Sequence, residues 1–234
     1  MRKIEKASSL QQSIQRSRHA VRAGALALAL WHFGTAIADA AGVASGPYPQ
    51  LFGTTETRGE NLRMFPKWSG VLDRMAATPE PFADACEMPA AQRCHLKQWN
   101  AFLSSIKALD GQTQLQEVNG FMNKFPYIED IINWGTSDYW ETPLEFLHKS
   151  GDCKDYAIAK YMSLRFLGWS ADRLRVVVLQ DLNLRLTHAI LVVEMDGKAL
   201  VLDNQIRHVV SAESIHHYRP IYSLNERHWW LHRG

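Results

Sequence analysis

Apolar residues recur at helical spacing through the first two thirds of the chain and at strand spacing through the last third. Trp99, Phe102, Ile106 and Leu109 fall on one helical face, which predicts a helix from Trp99 to Leu109. A second is expected from about Gln112 to Lys124, ending before Pro126. Thr142-Pro143-Leu144-Glu145 reads as a capping box with Pro at the first helical position, starting a short helix that stops near Ser150-Gly151. Asp152-Cys153-Lys154-Asp155 then opens a longer helix through Tyr156, Ala159, Tyr161, Leu164 and Leu167, closed by Gly168. Upstream, residues 41–80 are turn-rich around Leu51-Phe52-Gly53 and Phe65-Pro66-Lys67-Trp68, with a short amphipathic piece from Val71 to Met75.

Beyond Gly168 the period shortens to that of strands. Leu174–Gln180, His188–Met195 and Ala199–Asp203 are rich in Val, Leu and Ile, and Asp196-Gly197 between the last two is a hairpin signal. Val209 and Tyr218–Ser223 can add strands. Helices followed by an antiparallel sheet predict an α+β architecture: a helical N-terminal lobe, about 41–168, packed on a β lobe, about 169–234. A two-residue loop at Asp196-Gly197 pairs Met195 with Lys198. His188 then lies opposite Gln205, with Asp203 its diagonal neighbour on the same face, within reach of an imidazole. Asn204 points to the other face by strand alternation.

The first 40 residues have a different character. Arg2, Lys3, Lys6, Arg16, Arg18 and Arg22 stand against one acid, Glu5, and are followed by an apolar run from Ala23 to Leu30. That run continues weakly to Ala38-Asp39-Ala40, a small-x-small ending. The arrangement reads as a secretory signal over residues 1–40, cleaved near Ala40. An uncleaved anchor is the alternative, but the run is shorter than the roughly 18–20 residues a span needs. The mature form, residues 41–234, is expected to carry no membrane span and to be periplasmic. Charge then changes meaning: the whole chain has 26 Lys+Arg against 24 Asp+Glu, a net +2. Removing six bases and two acids with the signal leaves a formal −2. Neither value fits a nucleic-acid-binding surface. Aromatic residues at 10% and charged residues at 21% argue against disorder, and no repeat or low-complexity tract is present.

Three cysteines cannot build a four-thiolate zinc site. In an oxidising compartment Cys86 and Cys94, in a loop-like segment, are candidates for a disulfide. Cys153 is left over, at a predicted helix N-terminus, where backbone N–H groups favour a thiolate and can stabilise an oxyanion. A thiol packed inertly between helix and core is the alternative. A nucleophilic thiol needs an imidazole, and the imidazole an orienting group; His188 and Asp203 supply both. His228 and His232 have the spacing of a zinc-protease helix, but Trp229 follows His228 where that motif has Glu, so it fails. Those two, with His216 and His217, read as solvated side chains that bind no metal.

Together these segments resemble a family, the bacterial transglutaminase-like cysteine proteinases. The resemblance rests on Leu51-Phe52-Gly53-Thr54, Phe65-Pro66-Lys67-Trp68, Trp134 and Asp138-Tyr139-Trp140 with Thr142-Pro143-Leu144-Glu145. It continues through Gly151-Asp152-Cys153-Lys154-Asp155-Tyr156-Ala157, Thr187-His188-Ala189 and Val201-Leu202-Asp203-Asn204, in order along the mature chain. It implies a papain-like or transglutaminase-like core with Cys153 as nucleophile, His188 as base and Asp203 as orienter. The Cys153 amide would receive the oxyanion, with Trp134 or Trp140 as candidate second donors. It further implies a periplasmic endopeptidase that cuts a large biofilm adhesin at a small-residue, double-alanine site. The periplasmic domain of an inner-membrane cyclic-di-GMP receptor would restrain it. Calcium is implied as well, with Asp152 and Asp155 as ligands. Here the sequence departs from the family: Lys154 stands where Glu is usual, and an ammonium only donates. Capping of the helix start is the metal-free role for the same two acids. Two other activities fit the pattern: an acyl transferase using the same thioester, or a binding module that has lost turnover.

Overall fold

The structure is a computed structural model and describes residues 48–77 and 94–234. Residues 1–40, read from the sequence as a secretory signal, and Cys86 lie outside those residues, as does the side chain of Cys94.

Alternating apolar positions build the sheet. In β2 (Leu174–Asp181) and β3 (Leu186–Met195), Val176, Val178, Leu191 and Val193 face one way, and Val177, Leu179, Ile190 and Val192 the other. Both sets are buried, so these strands are apolar throughout rather than half polar. The hairpin to β4 (Lys198–Leu202) has the expected register, Met195 opposite Lys198 and Leu191 opposite Leu202. Its two-residue turn takes positive φ at both Asp196 (53°) and Gly197 (76°), the combination that matches strand twist. β5 (Val210–Ser211) and β6 (Tyr218–Leu224) follow, near the positions expected for them.

Two strands had no signal in the pattern. β1 (Thr55–Gly59) is polar, and β7 (Trp229–Arg233) is too aromatic to alternate visibly. They pair with each other, giving a seven-stranded antiparallel sheet of order β1-β7-β6-β2-β3-β4-β5. A bulge in the β2–β6 pairing falls between Val178 and Leu179 and accommodates Pro220, which has no N–H to donate.

Among the described residues six helices precede the main strands: α1 (Pro66–Ala77), α2 (Cys94–Ile106), α3 (Gly111–Met122), α4 (Asp130–Trp134), α5 (Pro143–Lys149) and α6 (Cys153–Phe166). α1 runs well beyond the amphipathic piece that announced it. α4 is a single turn, too short for periodicity to show. α6 is the central element, buried from Lys154 to Leu164. Ala157, Ile158, Tyr161 and Leu164 pack with the β2 and β3 side chains. Tyr156 and Ala159 pack against Trp99, Leu103, Met122, Phe146 and Leu147 of the outer helices. A helix covered on opposite sides is a rigid mount for whatever its first residue carries. Among the described residues, no helix is long and apolar enough to cross a membrane.

Candidate active site

Cys153 is the first residue of α6, and the sequence before it forces the chain into a tight entry. Ser150 takes a left-handed φ of 63° and accepts a bond from Asn133 Nδ2 on its carbonyl (2.7 Å). The Gly151 carbonyl accepts from the Ile128 amide (2.9 Å). Glycine is required at 151 by a close approach: a Cβ there would meet Asp155 Oδ2 at 2.5 Å. Asp155 needs that space because it closes a reciprocal cap, accepting from the Asp152 amide (3.0 Å) while Asp152 accepts from the amides of Lys154 and Asp155. The box engages those amides and not that of Cys153, whose N–H opens the helix where no intrahelical acceptor exists. The Cys153 side chain is half-buried.

His188, near the start of β3, is buried, and the Cys153 sulfur lies close enough to raise its pKa. Its Nε2 donates to Asp203 Oδ1 (2.9 Å), which leaves Nδ1 for the sulfur. Asp203, just beyond β4, is fully buried and held from several sides. Oδ1 also accepts the Gln205 amide (2.9 Å), Oδ2 accepts the Tyr218 hydroxyl (2.7 Å), and its carbonyl accepts Asn123 Nδ2 (2.8 Å). Burial pushes the Asp203 carboxyl up, but the His188 bond and charge, with the Gln205 and Tyr218 donors, outweigh it, and the group stays below its ordinary value. For His188, burial pulls the pKa down; the Asp203 bond, then Cys153, pull it up more strongly, to about 9. Cys153, His188 and Asp203 are therefore brought together as a contiguous chain. Tyr218 completes it and was visible beforehand only as part of a strand.

The two tryptophans do not serve as expected. Trp134 Nε1 donates to Glu141 Oε1 (2.5 Å) and Trp140 Nε1 to Asp138 Oδ1 (3.0 Å). Both indole N–H groups are committed to carboxylates, so neither is placed to receive an oxyanion. Trp134 is instead a packing wedge, with its ring against Tyr139 and under the Lys149 ammonium at 3.7 Å.

His232 needs a different correction. It is buried rather than solvated, bridging Thr54 Oγ1 through Nδ1 and Ser223 Oγ through Nε2, both at 2.9 Å. Burial holds its pKa down at about 4. Pairing of β7 with β1 encloses it, and no helix forms over His228–His232.

Beside the thiol lies an acidic nest that sequence spacing only half showed. Asp152 and Asp155 are joined there by Asp130, from α4, and their carboxylate oxygens fall within 4.8 Å of one another. Glu141, fully buried, borders them and is raised to about 7, mainly by burial. Asp130 and Glu141 lie outside the local motif, and nothing in their own surroundings marks them.

Carboxylates this close suit a hard cation in number. The residues present do not leave it room. Lys154 Nζ lies 2.6 Å from Asp130 Oδ2, 2.7 Å from Asp152 Oδ1 and 3.5 Å from Asp155 Oδ2. Asp155 Oδ1 is taken by the Glu141 amide (2.9 Å), and Asp130 Oδ2 also accepts the Tyr139 amide (2.7 Å). A divalent ion about 3 Å from an ammonium would be opposed by roughly 10 kcal/mol at an effective dielectric constant of about 20. Burial acts against the Lys154 charge, but Asp155, Asp130 and Asp152 overcome it and hold the ammonium protonated well above its ordinary range. As the sequence stands, calcium does not fit this nest.

The comparisons with known proteins agree with this geometry. A family model described as bacterial transglutaminase-like cysteine proteinase matches residues 72–232. Among solved structures, Legionella pneumophila LapG is 28% identical, with a TM-score of 0.56, covering 70% of this chain and 86% of that one. Its calcium-bound form matches with a TM-score of 0.55 and its EGTA-treated form with 0.57, both at 28% identity. No curated protein sequence matches the chain. With most of the described chain inside the family model, and a helix-borne cysteine beside a buried histidine, this chain belongs to the bacterial transglutaminase-like cysteine proteinases and is a cysteine peptidase.

Proposed function

We propose that the mature protein is a periplasmic endopeptidase that cuts a small-residue linker near the N-terminus of a large cell-surface adhesin. Release of the adhesin would detach the cell from a biofilm. Cys153 at the start of α6, close enough to His188 to raise its pKa, with His188 held by Asp203, is the observation that carries the peptidase reading. Family likeness supports the adhesin, the cyclic-di-GMP receptor as restraining partner and the double-alanine cleavage site. The basic-then-apolar N-terminal segment supports the periplasm.

In this mechanism His188 takes the thiol proton, and the Cys153 thiolate attacks the scissile carbonyl carbon. The Cys153 amide donates to the oxyanion. As the tetrahedral intermediate collapses, the imidazolium gives its proton to the departing amine, leaving a thioester on Cys153. His188 then deprotonates water, which attacks the thioester and frees the acid product and the thiol. Asp203 keeps the Nε2 proton in place, so that Nδ1 does the transfer in each step. No step runs through a metal.

Incubation with an adhesin N-terminal fragment and a primary-amine probe tests this reading. Wild type is expected to cut the fragment within its small-residue linker, and Cys153→Ala to leave it intact. Cleavage by Cys153→Ala would overturn the mechanism. Amine incorporation without chain cleavage would assign the protein to acyl transfer instead.

A further inference from the structure

We propose that the Lys154 ammonium is a tethered cation that assembles the start of α6 without calcium, and that this single residue decides whether the nest takes a metal. The nest draws its carboxylates from three parts of the chain. Asp130 comes from α4, Glu141 from the segment before α5, and Asp152 and Asp155 from the cap of α6. A positive charge at their centre offsets the repulsion between such carboxylates in a buried place. Lys154 supplies it from inside, 7% exposed, with its ammonium directed at Asp130, Asp152 and Asp155.

Three N–H donors facing three carboxylates match the valence of an ammonium, which has no further donor to offer. A metal in this position would need six or more oxygens, and four of the nest's carboxylate oxygens are engaged by Nζ or by backbone amides. Cys153 lies between Asp152 and Lys154, so the cation that holds the nest also sets the thiol's seat. Asp130 and Glu141 each keep one buried oxygen with no hydrogen-bond partner among the described residues. Lys154→Glu would remove the ammonium and add a further carboxylate, turning the nest into a set of oxygen donors without a cation.

Thermal unfolding and calcium titration of the full mature chain test this without any turnover assay, so the result is independent of the cleavage experiment. In wild type, the unfolding midpoint is expected to be the same in EGTA and in millimolar calcium, with no calcium bound in a calorimetric titration. Lys154→Glu is expected to unfold at lower temperature in EGTA, to bind one calcium, and to recover roughly 5–10 °C at calcium 100-fold above its Kd. The rate at which iodoacetamide alkylates Cys153 is expected to depend on calcium in Lys154→Glu alone. Should that variant fail to fold, Lys154→Gln removes the cation without adding charge, and its midpoint in EGTA is expected to fall below wild type. Stoichiometric calcium binding by wild type, or a midpoint that drops in EGTA, would overturn the proposal. So would a Lys154→Gln midpoint equal to that of wild type in EGTA.

Discussion

At the scale of single residues, His188 carries the pH dependence. Its imidazolium must protonate the leaving amine, and its pKa is raised to about 9. Activity is therefore expected to hold through neutral pH and to fall above about pH 9, read as the alkaline limb of kcat/KM on a peptide substrate. Asp203→Asn removes the opposing charge, so the limb should move down by more than one pH unit and kcat/KM at neutral pH should fall by roughly 10²-fold or more. The stability linkage has the same sign. A folded-state pKa above the ordinary 6.5 contributes stability that is complete below about pH 6.5 and lost as pH rises through about 9. The positions of Cys153, His188 and Asp203 follow from local rules: a helix start for the first, a hairpin register for the other two. Those of Tyr218, Asp130 and Glu141 do not. They reach the site from distant segments, and no spacing rule connects a residue on β6 with a carboxylate beyond β4.

At the scale of elements, the caps do much of the positioning. The Thr142–Glu145 box is formed as the sequence indicated, with Glu145 Oε2 accepting from the Thr142 amide (2.7 Å) and Thr142 Oγ1 from the Glu145 amide (3.3 Å). The box at Asp152 and Asp155 forms too, so the capping role read for these acids is met whether or not a metal binds. Gly151→Ala sets a Cβ against Asp155 Oδ2 and Cβ, at 2.5 and 2.8 Å, where neither can move without opening the cap. The substitution is expected to cost roughly 1–3 kcal/mol in denaturant unfolding. It should also slow alkylation of Cys153, since the same movement shifts the helix start. An unchanged alkylation rate would show that the thiol is placed independently of the cap. β1 and β7 escaped notice for a related reason. Each is short and lacks alternation; β1 becomes a strand because β7 is there to pair with it, and β7 because β6 and β1 flank it. Reading His232 as solvated failed with them.

At the scale of the whole molecule, burial of α6 on opposite sides sets an internal electrostatic problem at Lys160. The residue is fully buried, its ammonium has no hydrogen-bond partner among the described residues, and Tyr156 presents its ring at 5.9 Å. Burial lowers its pKa to about 7, with the Asp203 charge pulling weakly the other way. A depressed lysine has the opposite linkage to His188: the unfolded chain holds the proton between about pH 7 and 10.5, so this contribution to stability improves as pH rises across that window. Lys160→Met keeps the volume and removes the charge. It is expected to be more stable than wild type in denaturant unfolding at pH 7, with the advantage shrinking toward pH 10.5. An advantage that does not change with pH would mean packing, not charge, sets the difference.

The α+β class, the main helices and hairpin, and the placement of a cysteine, a histidine and an aspartate for one another could all be read from the chain alone. The helices, the hairpin and the His188–Asp203 placement rest on contacts between near neighbours, where periodicity, caps and turn residues act directly; the cysteine was joined to them by the chemistry a thiolate needs. The tertiary structure decided which surroundings those residues meet. It committed Trp134 and Trp140 to carboxylates, enclosed His232, and gathered Asp130, Asp152 and Asp155 around one ammonium. Such outcomes depend on which distant segments share a buried volume, and on whether each charge taken out of water finds a partner there. Lys154 shows the difference most directly: in the sequence it is a donor-only side chain that cannot ligate a metal, and in the fold it is the cation at the centre of the nest.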